Sequence, residues 1–268
     1  MKVLVLVIVS FDKPEYHDML AVWRERERDN VWFIQCKSDK EWIGDIINDI
    51  VGECSSLRAT LCLRPDGCMT PPFLDDSQSH SLGSASLKDR FELDVVNKTL
   101  YVRGDECLIP GILHKTVEAL SFFLSSGDPY DYVWRTNLSS VLDFAGLEKY
   151  LSSISLTKSL YAGYIGLGSL NNGSSTFFAS GAGFLMSRDV AMYLVENKEF
   201  LRWDLIDDVA IGALLEPRFG LKHLERCWVQ SEQEDLVVAK NNGVFHFRCE
   251  SYQHLRTVEF MRYVSKFV

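Results

Sequence analysis

The chain has 268 residues, 47% of them hydrophobic and 12% aromatic, which excludes a disordered protein and supplies a substantial core. A net charge of -9 excludes an extended groove for nucleic acid, although a few local basic residues can still hold a nucleotide diphosphate. The seven cysteines (36, 54, 62, 68, 107, 227 and 249) show no CxxC pair or metal-ligand spacing, the usage expected of reduced thiols in a cytoplasmic protein.

Val3 to Val9 is continuous, apolar and largely β-branched, the pattern of a strand covered on both faces. It resembles a signal-peptide core, but Phe11-Asp12-Lys13-Pro14-Glu15 follows without a small-residue cleavage site, so a buried strand is expected. No apolar run reaches the ~18 residues of a membrane span. A helix over 16–28 carries Met19, Leu20, Val22 and Trp23 on one face, and a second strand over 31–36 follows. Strand, helix and strand make one βαβ unit with a right-handed parallel crossover. Segments 42–51 and 59–63 are expected as helix and strand, and the Pro/Ser/Asp/Gly-rich tract 65–86 as a long loop.

A strand or hairpin over 91–102 turns at Asn97-Lys98. A helix over 109–124 has Pro110 in its first turn. The central strand, Tyr132 to Trp134, then runs into Arg135, Thr136, Asn137, Ser139 and Ser140, a bunching of polar residues where an open α/β sheet binds ligands. Helix 144–154, strand 160–166 and a flexible Gly/Asn/Ser loop over 166–175 follow. Residues 177–186 are apolar with a small-residue centre, Ser180-Gly181-Ala182-Gly183, where a ligand or backbone can approach closely. Ser187 is the expected N-cap of a helix through Val195, and Asp207-Asp208 open another through Leu215. Short strands over 219–228 and 243–247 and a helix over 252–268 close the chain.

With these residues placed, the chain resembles a GT-A-type nucleotide-sugar glycosyltransferase of the fringe and β-1,3-galactosyltransferase pattern, including variants in large DNA viruses. His114-Lys115-Thr116 matches the family's Lys-Thr helix start. Thr136-Asn137-Leu138-Ser139 stands at its Thr-Asp-Asp-Asp-like turn. Ala179-Ser180-Gly181-Ala182-Gly183, then Asp207-Asp208-Val209 and Gly212, match its small-residue motif and acidic pair. The resemblance covers residues ~100 to 215. It implies a Rossmann-like GT-A α/β fold, with a mostly parallel sheet and helices on both faces. It also implies one domain over 1–268, with a nucleotide-sugar-binding half (1–140) and an acceptor and catalytic half (141–268).

By the same resemblance the activity is transfer of a hexose or pentose from a UDP-sugar to a glycan or glycoprotein hydroxyl, with inversion. Asp208 is the implied general base and Asp207 its alternate. Donor contacts are expected from Ser10, Asp12, Lys37, Asp39, Arg103, Asp105, Lys115, Arg135, Thr136, Asn137, Ser139, Gly181 and Ala182. The family's DxD holds a divalent cation, Mn or Mg, on the donor diphosphate. Here the matching residues are Asn137 and Ser139, and no Asp-x-Asp occurs in the chain. Amide and hydroxyl ligands bind hard cations weakly. Either the diphosphate supplies most of the metal's ligands, with Asn137 and His246 completing them, or a cation such as Arg135 or Lys115 replaces it. No nucleic acid and no membrane span enter this reading, and the protein is expected to be cytoplasmic, in a host's cytoplasm if viral. Two alternatives stay open: a nucleotide-sugar-binding module without catalysis, and another α/β nucleotide-dependent enzyme. The lack of G-x-G-x-x-G after the first strand counts against a dehydrogenase.

Overall fold

The apolar run near the N-terminus forms β1 (Val3–Ile8), six residues that are all buried. Side chains alternate across a strand, so Val3, Val5, Val7 and Val9 enter one core while Leu4, Leu6 and Ile8 enter another on the opposite face. This computed structural model describes residues 1–10, 15–26, 28–38, 41, 90–154, 158–170, 173–229, 236–249 and 254–268. The elements expected over 42–51, 59–63 and 65–86, together with Asp12 and Asp39, lie outside the described residues.

From β1 the chain enters α1 (Glu15–Arg24) and returns as β2 (Val31–Lys37), parallel to β1 as a βαβ unit requires. β3 (Phe91–Asp94) and β4 (Thr99–Arg103) form the expected hairpin, with Lys98 in the left-handed region at φ 46°. β4 lies parallel to β2. Helix α2 (Gly111–Ser125) leads to β5 (Tyr132–Asn137), parallel to β1 on its other side. These four parallel strands, in the order β4-β2-β1-β5, form the middle of an eight-stranded, mostly parallel sheet.

Its remaining strands come from β7 (Tyr161–Ser169), β8 (Ser175–Ser187) and the short β9 (Lys222–His223). Strands β7 and β8 pair antiparallel far beyond the expected boundary, with Gly166 opposite Phe178 and Gly168 opposite Thr176. Half of the segment read as a flexible loop over 166–175 is therefore strand, residues 166–169 and 175. Its glycines answer to packing. A Cβ on Gly166 would lie 2.4 Å from the Phe178 ring, and one on Gly168 would lie 2.9 Å from Val209.

A second sheet, in the order β10-β11-β6, joins β6 (Ser140–Leu142) to β10 (Cys227–Val229) and β11 (His246–Cys249). The expected strand over 219–228 is largely replaced. Helix α5 (Asp207–Phe219) continues to Phe219 and ends at Gly220, φ 68°, leaving two short strands after it. Helices α3 (Phe144–Ser153), α4 (Arg188–Glu196), α6 (Leu236–Asn241) and α7 (His254–Ser265), with a 3-10 turn at Lys198–Phe200, complete the described elements. Ser187 does precede α4, but its hydroxyl makes no cap. It accepts the Leu160 N–H at 2.9 Å and donates to Asp189 at 2.5 Å.

Helices cover both faces of the large sheet. Met19 and Trp23 of α1 and Phe260 and Met261 of α7 pack on the Val5 and Val7 side. Leu113 and Val117 of α2, Val190 of α4 and Ile211 of α5 pack on the Leu4 and Leu6 side. Each fully buried apolar side chain of this size contributes about 1.5–3 kcal/mol. No helix among the described residues is long and apolar enough to cross a membrane.

Candidate functional site

Register decides which side chains meet at the carboxyl ends of the parallel strands. Ile8 of β1 lies level with Asn137 of β5. Across β5, antiparallel β8 places Gly183 beside Thr136, so Ala182 and Gly181 continue past the strand end. Helix α5 then crosses β8. Gly212 makes this approach possible, because a Cβ there would lie 2.4 Å from that of Phe178. The crossing carries the Asp207-Asp208 turn to Gly181.

The result is a cleft of about 480 Å³ whose lining includes Ser10, Asn137, Ser139, Gly181, Ala182, Asp207 and Asp208. Such a volume lies within the range that holds a small-molecule ligand. Arg135 also lines it, from deep in the wall. Its guanidinium donates to an oxygen of Asp207 and to the Gly181 carbonyl, and both side chains are buried. Asp208, one residue on, points differently. One of its oxygens accepts the Gly181 N–H at 2.8 Å and the other its neighbour Val209's N–H at 2.9 Å. Desolvation pushes the Asp208 carboxyl above the usual carboxylate range, and the adjacent Asp207 charge adds to the rise.

The small residues of the β8 motif have identifiable neighbours. A Cβ on Gly181 would meet Arg135 Nη1 at 2.9 Å and Asp208 Oδ2 at 3.2 Å. One on Gly183 would meet Trp134 at 2.6 Å and His246 at 2.8 Å. Ala182 offers its carbonyl to the hydroxyls of Thr136 at 2.6 Å and Ser140 at 2.8 Å. Thr136 is thus buried scaffolding behind the cleft wall.

Two arginines that sequence reading did not single out enter from the second sheet. Arg248 of β11 donates from Nη1 to Asn137 Oδ1 at 2.7 Å and to Ser139 Oγ at 2.5 Å. Arg226, just before β10, donates to Ser180 Oγ at 2.9 Å, and its guanidinium lies 4.1 Å from the Tyr164 ring centroid and 4.8 Å from that of Trp228. Both arginines and Trp228 line the cleft. The signal for Arg248 was its place two residues beyond His246, on the same face of one strand.

Asn137 and Ser139 hold the positions where the resembled family has metal-binding carboxylates. Their oxygens accept from a guanidinium, and a divalent cation beside that group would meet like charge and neutral ligands. Asn137 and Ser139 offer a hard divalent metal no anionic ligand. Among the described residues no three His, Cys, Asp or Glu side chains converge as a metal site. His246 is buried, with Nε2 3.3 Å from Ser140 Oγ and its ring edge-on to Trp134 at 5.3 Å. Desolvation, followed by the charges of Arg226 and Arg248, holds its pKa down to about 3.

Among the described residues, the other expected donor contacts, Lys37, Arg103, Asp105 and Lys115, are not brought to the cleft lining. Lys115 is buried, bonded to the Val9 carbonyl at 2.6 Å and paired with Glu106, so it fastens the end of β1. Lys37 pairs with Glu92 at 2.6 Å and lies over Tyr101. Arg103, the last residue of β4, and Asp105 just after it are exposed. Arg135 and Lys115, the cations expected in place of the metal, are thus each committed to a carboxylate.

No family model matches the chain, and no curated protein matches it. Solved structures do. The chain is 7% identical to a glycosyltransferase involved in the glycosylation of the major capsid of PBCV-1, with a TM-score of 0.43 over 98% of this chain and 99% of that one. It is 11% identical to the inositol-1-phosphate CTP transferase from T. maritima, with a TM-score of 0.43 over 100% and 98%. To the glycosyltransferase GlyE of Streptococcus pneumoniae TIGR4 it is 10% identical, with a TM-score of 0.38 over 100% of this chain and 63% of that one.

Proposed function

We propose that the chain is a glycosyltransferase that moves a sugar from a nucleoside-diphosphate donor, a UDP-sugar, to a glycan hydroxyl with inversion. One observation carries this reading. A half-buried carboxylate of raised proton affinity, Asp208, shares a cleft at the strand ends with the guanidiniums of Arg226 and Arg248. A chain of net charge -9 that gathers cations at one strand-end cleft is suited to an anionic ligand. The carboxylate answers the other need of the reaction, a base for the acceptor.

In this reading the acceptor oxygen forms a bond to the anomeric carbon as its proton passes to Asp208. The bond from that carbon to the diphosphate oxygen breaks, and the nucleoside diphosphate leaves with the electron pair. Cationic groups fixed before the reaction stabilise the charge that develops on it. Asp208 fits the base better than Asp207. The Asp207 carboxylate is committed to Arg135, whereas Asp208 is held by two backbone N–H groups and keeps access to the cleft. The Asp207–Arg135 pair then positions the turn that carries Asp208.

The test is release of UDP from UDP-glucose, UDP-galactose and UDP-xylose by the full chain and by Asp208→Asn, with donor binding measured in parallel. Loss of a general base costs about 10²–10⁴-fold in rate. Donor binding that survives in Asp208→Asn while turnover collapses supports the assignment. Unchanged turnover removes Asp208 as the base. Donor binding without turnover by the unaltered chain favours a binding module instead.

A further inference from the structure

We infer that Trp228 is the acceptor platform of this cleft: its indole stacks on the C–H face of a pyranose ring, so the hydroxyl that reaches Asp208 belongs to a sugar and not to a peptide side chain or a lipid. The inference rests on the reading of Asp208 as the base and adds to it what the acceptor is and which residue holds it.

Alternation along β10 sets Trp228 apart from its neighbour. Val229 is fully buried in the core that also holds Phe247 and Cys249, so Trp228 turns to the opposite face. There it is 43% exposed, belongs to neither core and lines the cleft. Its ring is oriented all the same. The Arg226 guanidinium lies 4.8 Å from the Trp228 ring centroid and 4.1 Å from that of Tyr164, one planar group shared by two rings. Such contacts set the indole before a ligand arrives, and a rigid ring with two side-chain torsions loses little entropy on binding.

The same contacts tie the ring to the base. Arg226 donates to Ser180 Oγ at 2.9 Å, and the next residue, Gly181, donates its N–H to Asp208 at 2.8 Å. Ser180 and Tyr164 belong to β8 and β7, which lie beyond β5 from β1. Among the described residues the other aromatic side chain of the cleft lining is Tyr16, carried by α1 next to β1 and packed against the core. A pyranose has a face of C–H bonds and a rim of hydroxyls. The π face of an indole is electron-rich and attracts the C–H face, while a carboxylate in the same cleft can take the proton of one rim hydroxyl. A serine or threonine acceptor would leave the indole uncovered.

The experiment labels the full chain with 5-fluorotryptophan and follows its fluorine resonances by NMR. The Trp228 signal is identified by its loss in Trp228→Phe or Trp228→Tyr. The probes are the methyl β-glycosides of galactose, glucose and xylose, with N-acetylserinamide as a peptide-like hydroxyl, each without UDP and in saturating UDP. A saturable shift of the Trp228 signal by at least one glycoside, kept in UDP and absent with N-acetylserinamide, is the expected result. With that glycoside as acceptor, Trp228→Ala should raise KM for the acceptor about tenfold more than KM for the donor. Trp228→Tyr should lose less, and Trp228→Leu, which keeps bulk without a π face, as much as alanine. Circular dichroism melts report whether each variant is folded. A Trp228 signal that no glycoside moves overturns the inference, as does a glycoside shift that UDP abolishes, which places the nucleotide on the ring. Equal rises in the two KM values overturn it too. Glycoside binding at Trp228 without UDP release from any UDP-sugar leaves a sugar-binding cleft and removes the transferase reading. Transfer to a glycoside with the Trp228 signal unmoved removes the inference and leaves the transferase reading.

Discussion

Arg135 and Arg248 line the same cleft but differ in burial and in the sheet that carries them. Arg135 comes from the central strand of the large sheet, is buried, and donates to the carboxylate of Asp207 and the carbonyl of Gly181. Arg248 comes from the small sheet, is half-buried, and donates to the neutral oxygens of Asn137 and Ser139. A buried charge must be matched within the protein, because removing it from water costs several kcal/mol. A charge at a cleft wall that keeps access to solvent carries a smaller desolvation cost. Arg135 is part of the buried wall, whereas Arg248 ties the small sheet to the turn that follows β5.

The largest expected effect follows from that contrast. Arg135→Met leaves Asp207 buried and unpaired and should cost about 3–5 kcal/mol in urea unfolding. Arg248→Met removes hydrogen bonds from a charged donor to groups that water can reach, and should cost about 1–2 kcal/mol. Equal losses in the two variants would erase the distinction between them. Pairing Arg135→Met with Asp207→Leu should recover much of the stability, since the orphaned charge goes too.

A smaller effect separates the two glycines behind these arginines. Gly183→Ala drives a methyl into Trp134 and His246, both packed in the interior, and should cost about 1–3 kcal/mol. Gly181→Ala meets the ends of Arg135 and Asp208 instead. It should act more on turnover than on the urea midpoint, and the reverse order would mean that the Arg135 wall cannot yield to the added methyl.

Two pH dependences complete the series. His246 has its pKa held from 6.5 down to about 3, so the unfolded chain binds a proton there that the folded chain refuses. Its contribution to stability is full above about 6.5 and is lost as pH falls towards 3. His246→Gln should flatten the stability curve across that window. Asp208 is shifted the other way, upwards by desolvation and by Asp207. A base must be ionised, so the acid limb of kcat/KM should lie above the ordinary carboxylate range. Asp207→Asn removes one cause of the rise and should move that limb to lower pH, provided the variant folds with Arg135 left unpaired.

Much of the scaffold was legible in advance. The continuous apolar run Val3–Val9, the turn at Asn97-Lys98, the helix behind Pro110 and the acidic start of α5 are local patterns, and all four stand in the structure. The Gly-rich segment from 166 was misread because Gly signals both flexibility and close packing. Only the neighbour distinguishes the two, and here it is the Phe178 ring and Val209. At the site, Asn137, Ser139, Gly181 and Asp208 were visible as motif positions. Lys37, Lys115, Arg103 and Asp105 also stood near strand or helix ends, but the fold aims them elsewhere.

What the sequence determined by itself was β1, β2, the β3-β4 hairpin and β5, the two-faced burial of the first one, and an acidic turn on a late helix, since periodicity and capping act over a few residues. What only the tertiary structure decided was the company those residues keep. Arg248 meets Asn137 across 111 residues of chain. Arg226 reaches Ser180 across 46. Both encounters depend on a small sheet whose strands pair non-locally, and no local pattern encodes such a pairing. Its register turns a neutral Asn-Leu-Ser stretch into the seat of a guanidinium.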